Sequence, residues 1–207
     1  MDLTNNRVSI VGEIVGCFEY SHELYGEKFY TNHVKVDRLS SASDLIPIMV
    51  SDRAVDVKAD WIGECVKIEG QFRSYNKKEE NRTRLVLSVF AEEFEQMKDF
   101  TYNDNNICLI GYVCKEPIYR KTPLGREITD VLLAVNRLCR KSDYIPLITW
   151  GRNARYSAKY KVGTKVRVIG RIQSREYCRA GEDEVRIAYE VSVSKIEEWE
   201  EDENAET

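Results

Sequence analysis

Apolar and polar residues alternate through most of the chain, and short runs rich in Val, Ile, Tyr and Phe are set apart by clusters of Gly, Pro, Asn, Asp and Lys. Such alternation marks half-buried β-strands joined by turns. In the second half it predicts strands near 106–119, 127–137, 144–150, 164–177 and 185–196. Residues 152–161, with Ala154, Tyr156, Ala158 and Lys159, lose the period of two and predict a short helix between the third and fourth strands. Residues 53–61 in the first half are helix-like in the same way. Tyr156 and Tyr160 are expected to face the core from this helix.

The pattern occurs twice. At a separation of 99, Gly12 meets Gly111, Gly26 meets Gly125, Val36 meets Val135, and Arg38-Leu39 meets Arg137-Leu138. Asp44, Ile46, Pro47 and Arg53 then fall on Asp143, Ile145, Pro146 and Arg152; after one insertion Gly63, Val66, Gly70 and Ser74 fall on Gly163, Val166, Gly170 and Ser174. Each matched glycine or proline marks a particular backbone need, so the matches mean homologous units. The predicted division is 1–102 for an N-terminal domain, 103–196 for a C-terminal domain and 197–207 for an acidic tail. Residues 99–106, rich in Asn and Asp, read as a linker. Three strands, a helix and two strands in each copy are the order of the OB fold, a small Greek-key barrel used for oligonucleotides and oligosaccharides. The expected fold class is thus all-β, as two tandem OB barrels, each of five strands with a short helix between strands three and four.

Charge separates the copies. The net charge of −4 is made of −6 over residues 1–104, +9 over 105–196 and −7 over 197–207. A polyanion therefore belongs on the second copy. The six cysteines lie far apart without metal-ligand spacing and, with only His22 and His33 as imidazoles, predict buried or half-buried thiols rather than zinc. His22 is placed on a loop and His33 on a strand. No segment has the length of a membrane span and the first residues lack a signal sequence, so a cytoplasmic location is expected.

Alternation also selects candidate ligand-facing residues. Along 165–177, Val166, Val168, Gly170, Ile172 and Ser174 share the barrel-facing parity, whereas Lys165, Arg167, Arg171, Gln173, Arg175 and Tyr177 point outward. Tyr144 and Trp150 share a face of the third strand. Rings beside arginines suit single-stranded nucleic acid, because bases stack on the rings and cations neutralise phosphates. Taken singly, each ring would serve equally in a core or a domain interface.

The second copy resembles the bacterial single-stranded DNA-binding protein family, through NNICLIGYVCKEPIYRKTPLG, REITDVLLAVNR and DYIPLITWGRNARYSAKYKVGTKVRVIGRIQSREY. The resemblance implies base stacking at Tyr144, Trp150 and Tyr177 and puts Arg120, Arg152 and Arg175 on basic positions of the family; Arg171 joins them from the outward row. Cys139 replaces one further family aromatic. The first copy departs at these positions, with Leu45, Ser51 and Lys77 for Tyr144, Trp150 and Tyr177. Tyr75 keeps the outward parity and is its candidate stacking ring.

What the resemblance implies is sequence-independent binding of single-stranded DNA in replication, recombination or repair, by a protein that is not an enzyme and needs no cofactor. It implies a homodimer presenting four OB domains, with a monomer pairing its own two domains as the rival. It also implies replication or repair proteins as partners through the acidic tail, although the chain ends Asn204-Ala205-Glu206-Thr207 and not in the family's Pro-Phe. The alternative is an OB protein-interaction module of a primosome-like assembly with weak nucleic-acid binding.

Overall fold

A computed structural model of the chain describes residues 5–38, 40–79, 82–98, 104–178 and 185–200. The first copy contains β1 (Asn6–Ile14), β2 (Glu19–Leu24), β3 (Glu27–Asp37), β4 (Ser43–Ser51), β5 (Cys65–Glu79) and β6 (Arg82–Gln96). The second contains β7 (Asp104–Val113), β8 (Ile118–Lys121), β9 (Glu127–Asn136), β10 (Ser142–Trp150), α1 (Gly151–Ser157), β11 (Lys165–Cys178) and β12 (Val185–Glu198).

Each copy closes on itself. β1 pairs with β3 and β5, β3 with β4, β4 with β6 in parallel, and β6 with β5. β7, β9, β10, β12 and β11 repeat this ring, with β10 and β12 as the parallel pair. β2 and β8 extend β3 and β9 as hairpin arms. The result is two five-stranded OB barrels. Buried Ile10, Ile46, Ile48, Ile68 and Phe72 fill one, and Leu109, Leu133, Ile145, Leu147 and Ile172 the other. Closure explains the first matched glycines: a Cβ on Gly12 would strike the Lys35 carbonyl, and one on Gly111 the Ala134 carbonyl.

The barrels are fused edge to edge by antiparallel pairing of β1 with β7. Val8 faces Ile107 in that register, and these residues occupy the same place in the repeat. A pseudo-two-fold axis thus runs through this pair. Where β1 turns its backbone toward β7, the Asn6 amide takes over pairing with β5, donating to the Phe72 carbonyl at 2.8 Å and accepting its N–H at 2.9 Å. Asn105 does the same for Ile172, at 2.8 Å for both bonds. Asp104, Asn105 and Asn106 accordingly lie in β7 and not in a linker; the rest of the expected linker, 99–103, lies outside the described residues.

The axis also relates two side-chain clamps. Arg38 forks onto Asp44 at 2.6 and 2.8 Å and donates to the Ser174 carbonyl at 3.1 Å, while Asp44 accepts the Ser174 N–H at 2.7 Å. Arg137 forks onto Asp143 at 2.5 and 2.7 Å and donates to the Ser74 carbonyl at 3.1 Å, while Asp143 accepts the Ser74 N–H at 2.5 Å. Asp44 and Asp143 are buried. Buried carboxylates are tolerated when paired and fully hydrogen-bonded, and both meet that condition.

Several expectations are corrected. Residues 53–61 are turns, because Asp56 and Asp60 accept the N–H groups of Lys58 and Ile62 two residues on, at 3.1 and 3.2 Å, which competes with helix formation. In the second barrel α1 forms but ends at Ser157; Tyr160 is buried beyond it, whereas Tyr156 is 46% exposed. The first strand of the second copy ends at Val113 and pairing resumes only at Ile118, leaving β7 and β8, as β1 ends at Ile14 and β2 begins at Glu19 in the first copy. β12 runs through Glu198, so the tail's first two residues, Glu197 and Glu198, are strand; 201–207 lie outside the described residues. His22 is on β2 rather than a loop. Cys65, Cys108 and Cys114 are half-buried free thiols as expected, but Cys17 and Cys139 are exposed; the side chain of Cys178 lies outside the described residues.

Candidate nucleic-acid interface

The outward faces of β10, β12 and β11 form a strip across the second barrel. Trp150 ends β10, where Gly151 at φ 54° turns the chain into α1, and the indole Nε1 donates to Ser192 Oγ on β12 at 3.3 Å. Ser192 faces Arg171 in the β11–β12 register. These side chains line a cleft of about 420 Å³ together with Arg175, Arg126 and, from the first barrel, Arg38. Three sequence-selected residues, Trp150, Arg171 and Arg175, therefore share one cleft. Its remaining arginines are not singled out by the sequence: Arg38 stands there as a repeat marker, and Arg126 as the first residue of the REITDVLLAVNR segment.

Arg175 connects this cleft to Tyr177, its guanidinium lying 5.8 Å from the ring centroid, a distance that allows a weak cation–π contact. Arg171 is less free than strand parity implied. Its guanidinium reaches across the junction to Asp44 at 3.2 Å and to Gln173 at 3.3 Å. Gln173 itself is buried, against its outward parity, because it donates to the buried Glu190 carboxylate at 2.8 Å. Glu190 also lies 3.7 Å from Arg175 and is an acidic group inside an otherwise basic face.

The other sequence-selected residues surround the cleft at a distance. Tyr144 is 44% exposed at the start of β10, and its N–H donates to Ser74 Oγ of the first barrel at 2.7 Å. Tyr75, 46% exposed, directly follows that serine, so both rings stand at the junction. Arg120 sits on the β8 arm and is held by Asp130 at 2.7 and 3.1 Å. Arg152 is exposed on α1.

Electrostatics favour the clamp. Burial alone would raise the Asp44 carboxyl, but hydrogen bonds from Arg38 and the Ser174 N–H, with the charges of Arg38 and Arg171, hold it below its ordinary value. Among the described residues no three His, Cys, Asp or Glu side chains gather as a metal site.

The model of the "Single-strand binding protein family" matches residues 104–198, the whole of the second barrel. A single-stranded DNA-binding protein of Clostridium tetani is 35% identical over 104 residues, 46% of this chain and 71% of that protein. Single-stranded DNA-binding protein A of Bacillus subtilis is 38% identical over 80 residues, 35% of this chain; that match and others cover about half of the relative's length. The crystal structure of the wild-type single-stranded DNA binding protein from Thermus aquaticus superposes with a TM-score of 0.78 over 95% of this chain and 93% of that one, at 16% identity. At such identity the likeness concerns the fold, and it spans both barrels.

Proposed function

Because the chain belongs to the single-strand binding protein family, we propose that it binds single-stranded DNA without regard to sequence, chiefly on the second barrel. The observation that supports this most directly is the cleft in which Trp150 stands among Arg38, Arg126, Arg171 and Arg175. An indole offers a π-face to any base, and the arginines meet the backbone that every sequence shares. Tyr177 and Tyr144 extend the stacking path, Arg120 and Arg152 add cations along it, and Tyr75 receives the strand at the junction. Binding is the whole activity in this reading, without catalysis or cofactor, in the cytoplasm during replication, recombination or repair.

Further parts of the proposal concern assembly. The 1–102, 103–196 and 197–207 segments act as an assembly-biased barrel, a DNA-binding barrel and an acidic tail that meets replication or repair proteins. The pairwise barrel contact is made within one chain, and a dimer of chains would present four barrels. Exposed Ile118 and Leu124 near the β8 arm, with Leu24 and Tyr25 on the β2 arm, support such association. Sedimentation should give twice 24.1 kDa; a mass of one chain rejects the dimer.

The deciding experiment is titration of tryptophan fluorescence with oligo-dT at several salt concentrations, for wild type and Trp150→Ala. Wild type should bind with a log–log salt slope of about −0.7 per phosphate contact. Losing one stacked base costs about 1 to 3 kcal/mol, so Trp150→Ala should bind at least fivefold more weakly. Absence of binding by wild type at low salt would sink the reading, and equal binding by both proteins would move the site elsewhere.

A further inference from the structure

Compared position by position, the first barrel lacks the stacking tryptophan, since Ser51 stands where Trp150 does. Compared strand against strand, it has moved the aromatic mass rather than lost it, with Phe29 buried and Phe90 partly exposed. In the second barrel Trp150 is flanked by Ile128 on β9 and Ser192 on β12. In the first, Ser51 has Phe29 as its register partner on β3, and on the other side β6 brings Phe90, the register partner of Met49, to within 5.8 Å of the Phe29 ring. Phe90 faces Gln71 as Ser192 faces Arg171, which fixes the equivalence. The small residue now sits in the middle and the rings on either side.

The arginine has moved as well. β11 carries Arg171 and Gln173, whereas β5 carries Gln71 and Arg73, the same two side chains in reverse order. Arg73 donates to Gln71 Oε1 at 3.1 and 3.3 Å, and its guanidinium carbon lies 4.4 Å above the Phe90 ring. The Phe90 and Phe29 centroids are 5.8 Å apart, and His22 on the β2 arm stacks on Phe29 at 5.0 Å with planes 18° apart. Four flat groups, His22, Phe29, Phe90 and Arg73, thus form a continuous ladder across β2, β3, β6 and β5. His22 is exposed at its outer end and Phe90 is partly exposed.

We propose that this ladder is a second subsite for an unpaired nucleobase, with His22 and Phe90 as stacking planes and Arg73 as the group that meets the adjoining phosphate. The inference rests on the DNA-binding reading of the second barrel and extends it to the first. Two carboxylates border the ladder: Glu27, which accepts from Ser51 and pairs with Arg53 at 3.6 Å, and Glu92, which accepts from Gln71 at 2.7 Å. They make the subsite weaker than the Trp150 cleft. It therefore engages only DNA already held by the second barrel and long enough to cross the junction.

The test uses the full chain with 5-bromodeoxyuridine-substituted oligo-dT of about 10 and about 35 nucleotides, lengths suited to one OB barrel and to two. Photocrosslinks are mapped by mass spectrometry, and affinities are measured for wild type, His22→Ala, Arg73→Gln and Phe90→Ser. The expected result is crosslinking to β2, β3 or β6 by the long oligonucleotide, with about fivefold weaker binding of that length in each variant and unchanged binding of the short one. His22 is exposed, so its variant tests stacking without disturbing a core. Crosslinks confined to the second barrel, with all variants binding both lengths as wild type does, would overturn the subsite and leave the second-barrel site standing. Failure of wild type to bind either length overturns both.

Discussion

The carboxylate of Asp44 in the first barrel accepts the backbone N–H of Ser174 in the second at 2.7 Å, and Arg38 completes the grip by donating to the carbonyl of the same serine. Asp143 and Arg137 hold Ser74 in the same way from the other side. Each barrel thus clasps the backbone of its neighbour's long strand, as subunits of a symmetric dimer share one self-complementary patch. Here the dimer is made within a single chain.

Asp44→Ala should accordingly destabilise the junction. Removing one partner of a buried pair leaves the other uncompensated, which typically costs about 3 to 5 kcal/mol; the loss should lie at the lower end, because Arg38 and Arg171 both reach solvent. Denaturant unfolding would show it as a lower midpoint. A midpoint within error of wild type would mean that β1–β7 pairing alone holds the barrels together.

Stability should also depend on pH through this residue. The native Asp44 carboxyl titrates below its ordinary value of 3.8, so the clamp's contribution is present above that pH and is lost as pH falls through the native value. Wild type should lose stability below about pH 4 more steeply than Asp44→Asn, which has no charge to lose. Parallel pH curves for the two proteins would contradict the linkage.

Asn6→Leu tests how one strand serves two sheets. The side-chain amide stands in for a peptide group and satisfies both the N–H and the C=O of Phe72. Leucine would leave both buried and unpaired, at about 1 to 3 kcal/mol for each group. Asn105→Leu should cost less, because Asn105 is only half-buried. Thermal or denaturant unfolding of the two variants gives the order directly; equal or reversed costs would refute the argument.

The strands and the doubling were legible because alternation and repeated glycines are local signals. Arg38, Asp44 and Ser74, with their copies, were equally visible as matches, yet spacing cannot tell that a side chain reaches the backbone of the other copy. Asn105 was lost in an Asn-rich stretch that imitates a linker, since a peptide-mimicking amide and a turn residue have the same composition. Residues 53–61 shared the helix-like pattern of the second copy, but two aspartates diverted the backbone into turns. At the candidate site, parity put Trp150, Arg171 and Arg175 on one face, and the structure adds Arg38 and Glu190 from elements that are distant in sequence. The displaced aromatics Phe29 and Phe90 escaped comparison by position, because only the strand register shows which residues flank Ser51.

Glu190 provides the sharpest test of the basic face. It is buried on β12, bound to Gln173 and 3.7 Å from Arg175, and its charge both occupies that arginine and repels phosphate. Glu190→Gln keeps an oxygen that can accept from Gln173 while removing the charge. If Arg175 meets the DNA backbone, this variant should bind oligo-dT about threefold to tenfold more tightly at low salt, since an unscreened charge nearby weighs most there. The gain should shrink as salt shortens the range of the repulsion. Tighter binding that persists unchanged at high salt would point to a rearranged cleft, and weaker binding would show that Glu190 serves the site by aiming Arg175.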